Sequence, residues 1–563
     1  MKSFRNRLSL PALATGLLLL ARSAAGGLSS DPPLLPKTAK PPVIDGVLDD
    51  EAWSAALRVE GFKTYQPDYG KEPNQRSEGF LTYDSDNFYF ALRCYETEPG
   101  KIKAATTKRD AIFDQDFCGL LIDTFNDMQS AFGFVINPLG IQGDGMMDIK
   151  GNLDANFDMV WDSRGRIDEQ GYTVEGRIPL QSIRFPNRKD IIIRVAFFRQ
   201  IVRASEMDSF PAMNPEQGSL LGQTLAVQVS GLKYKRVIEV LPALTHTTSY
   251  AHSEGLWQRE MRSTEFSLTG KLGITSDLIA DAAYNPDFSQ VESDAGQVDI
   301  NLRYDLFYPE KRPFFLEGSE LWLFAGNFEE APLTAVVYTR KIINPVFGLK
   351  LAGKISAKDT LAAIYAQDEL PGDEVDEHPD FTIVRYKHAL RGDSYIGGFY
   401  TGHGTGDGFN RFGGADGRFR VTNTSVVSFH LFGSWTREQG AETVRPGHAL
   451  GLDYSYSTRS VNLDIGYQDI SPDFQVDTGY VYRTGLRRLA LFGMYTFYPD
   501  SKFFQKIEPF YWSYHLYDTI DRMFQTTNLF TLRFWLPRST LFRLDFILAN
   551  EVYAGGRFGR NQL

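Results

Sequence analysis

The stretch Val461-Asn462-Leu463-Asp464-Ile465-Gly466-Tyr467-Gln468 decides the fold. Val461, Leu463, Ile465 and Tyr467 fall on one side of an extended chain and Asn462, Asp464 and Gln468 on the other, because successive strand side chains point to opposite faces. The same two-faced ribbon recurs. Phe266, Leu268, Leu272 and Ile274 oppose Glu265, Ser267, Thr269 and Lys271. Leu450, Leu452, Tyr454 and Tyr456 oppose Asp453, Ser455 and Ser457; Val427, Phe429, Leu431 and Trp435 oppose Ser428, His430 and Ser434. Roughly 16 such segments run from Val237 to Leu563, each of about the 9 to 11 residues that a tilted strand needs to cross a bilayer. A soluble antiparallel sheet alternates too. The number and length of the segments point to a transmembrane antiparallel β-barrel over residues 235–563, with Tyr456, Trp435, Tyr495 and Trp512 in its interfacial girdles.

Upstream, from Pro41 to Tyr234, short strands alternate with turn clusters. Phe80 to Tyr95 reads as a hairpin closed by Asp84-Ser85-Asp86-Asn87, whose short polar side chains bond their own backbone. Cys118 to Thr124, Ala131 to Ile136, Tyr172 to Ile178 and Ile191 to Gln200 are further strands, and together they predict an antiparallel β-sandwich over 41–234. Composition agrees with an all-β chain. Among 563 residues there are 7 Trp, 27 Tyr, 42 Phe and 50 Gly, an excess that suits strands and turns over helices. The net charge of -11 speaks against a polyanion such as nucleic acid as partner. Beyond the N-terminus no run of about 18 apolar residues could form a membrane helix. Lys2, Arg5 and Arg7, then the apolar Leu8 to Ala21, then Ser23-Ala24-Ala25 read as a signal peptide over 1–25, followed by a linker over 26–40.

The chain lacks CxxC, HExxH, GxSxG and Walker-type motifs, and its eight His show no metal-ligand spacing. Cys94 and Cys118, the only cysteines, either form one disulfide in an oxidising compartment or stay as buried thiols in two strands.

Four blocks in the first region resemble the carbohydrate-binding module family 9-like domains. They are Pro42-Val43-Ile44-Asp45-Gly46-Val47-Leu48-Asp49-Asp50-Glu51-Ala52-Trp53, Arg109-Asp110 through Asp116, Leu121 to Asp127, and Gly171-Tyr172-Thr173-Val174-Glu175-Gly176-Arg177-Ile178-Pro179. In the second region, Asn285 to Asp294, Tyr308-Pro309-Glu310-Lys311-Arg312-Pro313-Phe314-Phe315-Leu316-Glu317-Gly318 and Ile470-Ser471-Pro472-Asp473-Phe474 resemble the outer-membrane barrel family called domain of unknown function 5916. The resemblance implies a Gram-negative outer-membrane protein with a sugar-binding-type domain and outer-membrane lipid around its barrel. The expected function is binding or passage of a glycan. Two alternatives stay open: a glycoside hydrolase in carbohydrate catabolism, and a soluble secreted two-domain scaffold.

Sugar recognition needs a flat aromatic face with carboxylate or amide partners for hydroxyls. Trp161, between Asp158 and Asp162, is the candidate platform, and a core role competes for the same face; Trp53 sits in an apolar run that suggests packing. Arg109, Asp110, Asp114 and Asp116 cluster carboxylates that could bond hydroxyls or coordinate calcium through oxygen; a solvated turn is the plain alternative. No other cofactor is expected. In the barrel, the loop 305–324 with Glu310, Lys311, Arg312 and Glu317 is expected either to constrict the lumen or to be fixed by mutual ion pairing. Glu292, Asp294, Glu310 and Glu317 could supply the two carboxylates that a glycosidase needs. Finally, 563 minus 474 leaves 89 residues after the Ile470 to Phe474 block. That short remainder sets up the expectation of a sheet that does not close, against a closed 16-stranded barrel in which Leu541 to Tyr553 pairs near Val237.

Overall fold

In the computed structural model the described residues are 32–562, except 156–157, 254–255, 289–303, 305, 317, 327, 329–330, 370–377, 539 and 554. The segment read as a signal peptide, and with it Glu292, Asp294 and Glu317, lies outside the described residues.

Residues 32–230 form two antiparallel sheets. One orders Leu57–Val59, Ser77–Tyr83, Asn87–Tyr95, Gly171–Pro179 and Asp162–Asp168; the other is built around Asp190–Ile201, which pairs with Phe117–Asp123, Glu206–Phe210 and Leu225–Ser230. Alternate residues from both sheets, among them Leu81, Phe88, Phe90, Leu120, Ile122, Phe134, Val174, Ile193 and Phe197, meet in one buried layer, the arrangement of a β-sandwich. The expected hairpin is present: Asp84 Oδ1 accepts from the N–H groups of Asp86 and Asn87, both at 2.7 Å. Residues 32–40, read as a linker, belong to the sandwich instead. Leu34 and Lys37 bridge to Gln228 and Tyr83, and Leu35 is buried in the core. The sequence reading also passed over Gln142–Met147, Asp162–Asp168 and Glu206–Phe210, which carry Gly, charge or few apolar residues and so lack a clear period of two, and over the short Leu225–Ser230.

Sixteen antiparallel strands follow in one sheet, from Ile238–Ser253 to Gly556–Gln562, each paired with its neighbours in chain order. The two faces read from sequence are the two faces observed. Leu431, Trp435, Leu450, Leu452, Ile465 and Tyr467 point outward and are exposed, whereas His430, Ser434, Phe432, Ala449, Gln468 and Ile470 are buried inside. Trp512 departs from expectation. It shares the inner face with Glu508, Leu516 and Asp518, so it is a lumen residue and not part of a girdle. Thr540–Tyr553 pairs with Met523–Leu536 and with Gly556–Gln562, which supplies the sixteenth strand. Among the described residues Ile238–Ser253 and Gly556–Gln562 each have one partner, and the sheet has two edges.

The lumen is filled by two insertions. Between Leu278–Tyr284 and Pro345–Lys354 the chain enters the barrel, and Phe314, Phe315, Trp322 and Phe324 are buried against the wall residues Ile364, Phe381, Phe399, Phe412 and Phe432. Residues 471–485 fold in beside it: Leu333–Ala335 pairs with Tyr480–Val481, and Thr478 Oγ1 donates to the Val336 carbonyl at 3.2 Å.

The sandwich sits over one mouth. That end carries the connections 274–277, 355–358, 390–394, 423–424, 458–460 and 537–539, with one longer connection, 496–505. Asn187 N–H donates to Ser276 Oγ (3.1 Å), Gln129 to the Gly392 carbonyl (3.2 Å) and Gln505 to the Ala204 carbonyl (2.8 Å). Lys354 pairs with Asp127, and Arg459 with Asp68.

Candidate functional site

The sandwich residues proposed from sequence for sugar binding do not form an open site. Trp161 is 5% exposed, with its ring centroid 5.2 Å from Phe134 and 6.1 Å from Phe90. Its indole N–H donates to Asp144 Oδ1 at 3.3 Å. Both faces of the ring therefore meet protein, and Trp161 is a core residue. Trp53 is likewise buried, its N–H donating to Glu175.

The acidic loop splits into two places. Asp116 is buried and accepts the N–H groups of Lys103 (3.1 Å) and Val202 (2.8 Å), which holds the loop to the neighbouring strands. Asp114 is exposed beside Lys103. Arg109 turns instead toward Asp144, donating from Nε at 2.8 Å, with Asp158 at 3.5 Å and Asp110 at 3.9 Å. Asp110, Asp144 and Asp158 bring one oxygen each within 4.8 Å of one another, a spacing that a cation could bridge. Arg109 lies among them and supplies positive charge there. Burial raises the pKa of both Asp144 and Asp110 above the usual carboxylate range, the direction expected when desolvation outweighs a neighbouring cation.

Cys94 and Cys118 are buried thiols, one from each sheet, so the structure takes the second of the two alternatives read from sequence.

In the barrel, Glu310 and Arg312 form an ion pair at 2.7 Å, and Arg312 also donates to the carbonyls of Ile342 (2.7 Å) and Thr339 (2.8 Å). Glu310 accepts from Thr339 Oγ1 at 2.6 Å. These bonds fix the inserted segment and use the Glu310 oxygens. Lys311 donates its backbone N–H to Glu310 (3.0 Å). Deeper in the lumen, Arg385 pairs with Asp416 and donates to the carbonyls of Leu321 and Leu323, both at 3.3 Å, while Asp416 accepts the Ala325 N–H at 2.9 Å. Lys350 donates to the Phe314 carbonyl at 2.6 Å. Buried wall charges thus take up backbone groups of the insertion that would otherwise be buried without partners.

The open space lies between this insertion and the sandwich. Two cavities, of about 260 and 480 Å3, share Ile149, Lys150, Arg418 and Ser428 as walls. The roof is the sandwich turn 148–152; Leu321, Leu323, Phe324 and Gly326 form the floor. Arg418 and Arg420 are tied to Asp393, at 3.2 and 2.6 Å. Register places the rest. Ser455 stands opposite Asp464, Asp464 opposite Phe492 and Phe492 opposite Trp512, while in the adjoining inward row Ser428 faces Asp453 and Asp453 faces Gly466. The chamber joins carboxylates, hydroxyls and rings in one wall, the mixture that recognises polar organic ligands. Sequence analysis gave Ser428, Asp453, Ser455 and Asp464 their face but not their neighbours.

Residues 241–330 match the model of the domain of unknown function DUF5916. No match is found among curated proteins. Among solved structures, a carbohydrate binding module family 9 from Caldicellulosiruptor kristjanssonii in complex with cellotriose is 14% identical, covering 36% of this chain and 95% of its own at a TM-score of 0.25. A putative carbohydrate-binding protein from Bacteroides uniformis is 9% identical, covering 35% and 96% at 0.27. Pseudomonas aeruginosa OccK11 is 10% identical, covering 81% and 96% at 0.31. At these low scores the architecture rests on the strand pairing of the chain itself. Over residues 241–330 the chain matches DUF5916, and its two-part architecture is an antiparallel β-sandwich followed by a 16-stranded antiparallel sheet.

Proposed function

We propose that this chain spans the bacterial outer membrane and binds or passes a glycan through the chamber beneath its sandwich. The observation that carries the reading is the location of the chamber, enclosed jointly by the sandwich turn 148–152, the inserted segment and the lumen wall. An outward belt of exposed Leu349, Tyr365, Tyr400, Leu431, Leu452 and Leu489 supports the membrane setting, since water-facing surfaces rarely carry so much contiguous apolar area. The sandwich covers the mouth that bears mostly short connections, the side that faces the periplasm in barrels of this type. A solute in the lumen would then meet the sandwich on the periplasmic side.

The test is uptake of a neutral oligosaccharide by cells that make the chain against cells that do not, with protease added outside intact cells. Faster uptake and a protected sandwich are expected. Equal uptake, or release of the sandwich by the external protease, would contradict the reading.

A further inference from the structure

The sandwich meets the rim of the barrel beside the first barrel strand, and that corner is basic in a chain whose net charge is -11. Residues 231–237 lead from the sandwich into Ile238–Ser253 and carry Lys233, Lys235 and Arg236 in close succession, with no acid among them. The sandwich segment 184–189 adds Arg184, Arg188 and Lys189. Hydrogen bonds gather these stretches at one place. Gly231 N–H donates to the Lys189 carbonyl at 2.8 Å, Lys233 N–H to the Ser85 carbonyl at 3.3 Å and Asn187 N–H to Ser276 Oγ at 3.1 Å. Lys37 joins them, its Nζ donating to the Gly231 carbonyl at 3.3 Å.

The acids of the corner are fewer and are engaged. Asp86 pairs with Lys235 at 2.7 Å. Asp84 accepts the turn N–H groups of Asp86 and Asn87 and the Tyr89 hydroxyl. Asp190 accepts from Ser230, and Asp277 accepts from Ser276 and faces Arg184 and Arg188. Glu239, the next acid along the chain, stands opposite Lys271. Lys189 and Lys233 are exposed, and neither side chain has an ion pair or hydrogen bond among the described residues. The corner therefore holds positive charge that the protein itself does not neutralise.

Its position says what could neutralise it. Arg236 Nε donates to the Gly273 carbonyl at 2.9 Å, and directly beyond it Ile238 stands opposite Leu272. Ile238, Val240, Leu272 and Ile274 are exposed and apolar, so the cations border the apolar belt. A cavity of about 200 Å3 lies there, lined by Arg184, Lys233 and Lys235, by Asp86, and by the rim residues Val237, Gly273 and Ile279. Basic side chains beside a membrane-spanning segment are attracted to anionic headgroups, and their own mutual repulsion falls when such headgroups bind.

We infer that this corner binds anionic phospholipid of the leaflet on the sandwich's side, with Lys189 and Lys233 meeting the headgroups, the cavity holding one of them and the acyl chains lying along Ile238 and Leu272. The lipid then helps to seat the sandwich over the mouth. The inference rests on the proposed membrane setting and names the lipid class that the setting supplies.

The experiment is native mass spectrometry of the full chain in detergent, titrated with phosphatidylglycerol and with phosphatidylethanolamine of the same acyl chains. Tighter binding of phosphatidylglycerol is expected. Lys189→Gln and Lys233→Gln should each weaken it about fivefold, the contribution of one basic side chain near an anionic surface, with phosphatidylethanolamine binding unchanged. Arg445→Gln, at the other end of the barrel beside Glu438, should change neither. Heat-modifiable migration of each variant confirms folding. Equal affinity for the two lipids in a chain that migrates as a folded barrel, or a phosphatidylglycerol preference that survives in the double variant, overturns this inference and leaves the membrane setting standing. Displacement of the lipid by inorganic phosphate at equal concentration overturns it too, because the site would then belong to a soluble anion. A chain recovered soluble without detergent removes the membrane setting, and this surface with it.

Discussion

Glu175 gathers the N-terminal motif onto the sheet: it accepts the backbone N–H groups of Asp45 at 2.9 Å and Gly46 at 2.6 Å, and the indole N–H of Trp53 at 2.8 Å. Two stretches far apart in sequence, Pro42 to Trp53 and Gly171 to Pro179, thus share one carboxyl group. Burial pushes that group up to about 7 despite the three donors. A carboxyl whose pKa is raised by folding holds its proton more tightly folded than unfolded, so its contribution favours the fold below about 4.5 and is lost as pH rises toward 7. The melting temperature of the sandwich should fall between pH 4.5 and 7, and Glu175→Gln should flatten that slope; an unchanged slope in the variant would refute the assignment.

The docking of sandwich on barrel carries the opposite sign. Arg459, in the connection 458–460, donates from Nε and Nη2 to Asp68 at 2.8 and 2.6 Å, and its backbone N–H donates to Glu216 at 3.0 Å. Burial opposes ionisation of Asp68, but Arg459 and Lys71 outweigh it and hold the carboxyl below its usual range. The contact is therefore intact above the ordinary carboxylate pKa of about 4 and is lost as pH falls through the lowered value. Arg459→Ala should expose the 148–152 turn to protease at neutral pH, and acidification below about pH 4 should do so in the unaltered chain. Protection of the turn in both cases would show that the ion pair does not hold the sandwich down.

Trp161→Ala should destabilise the sandwich by about 3 to 5 kcal/mol, the cost of emptying a large core site. Trp161→Phe, which keeps a ring against Phe134 and Phe90, should cost less. Thermal melts of the full chain decide this. A Trp161→Ala chain with unchanged melting and lost sugar binding would return Trp161 to the role that sequence alone gave it.

Asp416 and Arg385 clamp the inserted segment through Ala325, Leu321 and Leu323. Asp416→Asn leaves a buried guanidinium without its counter-charge, which is expected to cost about 3 to 5 kcal/mol and to loosen the insertion. Deleting 306–324 should raise single-channel conductance by widening the water-filled cross-section. Unchanged conductance in a deletant that still inserts would place the segment outside the conducting path.

Much of this was legible in the sequence, and what was not has a physical reason. Alternation in Val461 to Gln468 sorted the outward face from the inner face because a strand has a period of two. Trp512 defeated the same reasoning. Phe510, Tyr511, Trp512 and Tyr514 put aromatics on both faces of one strand, and the period alone could not tell which face held the tryptophan. The chamber was not legible because cross-strand register, which sets Asp464 beside Phe492 and Trp512, depends on turn geometry along the whole sheet. Arg109 shows a third limit: its partner, Asp144, lies 35 residues away on the strand Gln142–Met147, so the nearer acids Asp114 and Asp116 drew attention that the fold does not support.

The most direct test of the central claim, a barrel in the outer membrane, is fractionation of cells that make the chain, followed by electrophoresis of heated and unheated samples. The account predicts recovery with outer membranes, extraction only by detergent, and a shift in migration on heating as the barrel unfolds. Recovery of the chain as a freely soluble periplasmic protein without detergent, migrating alike before and after heating, would contradict it.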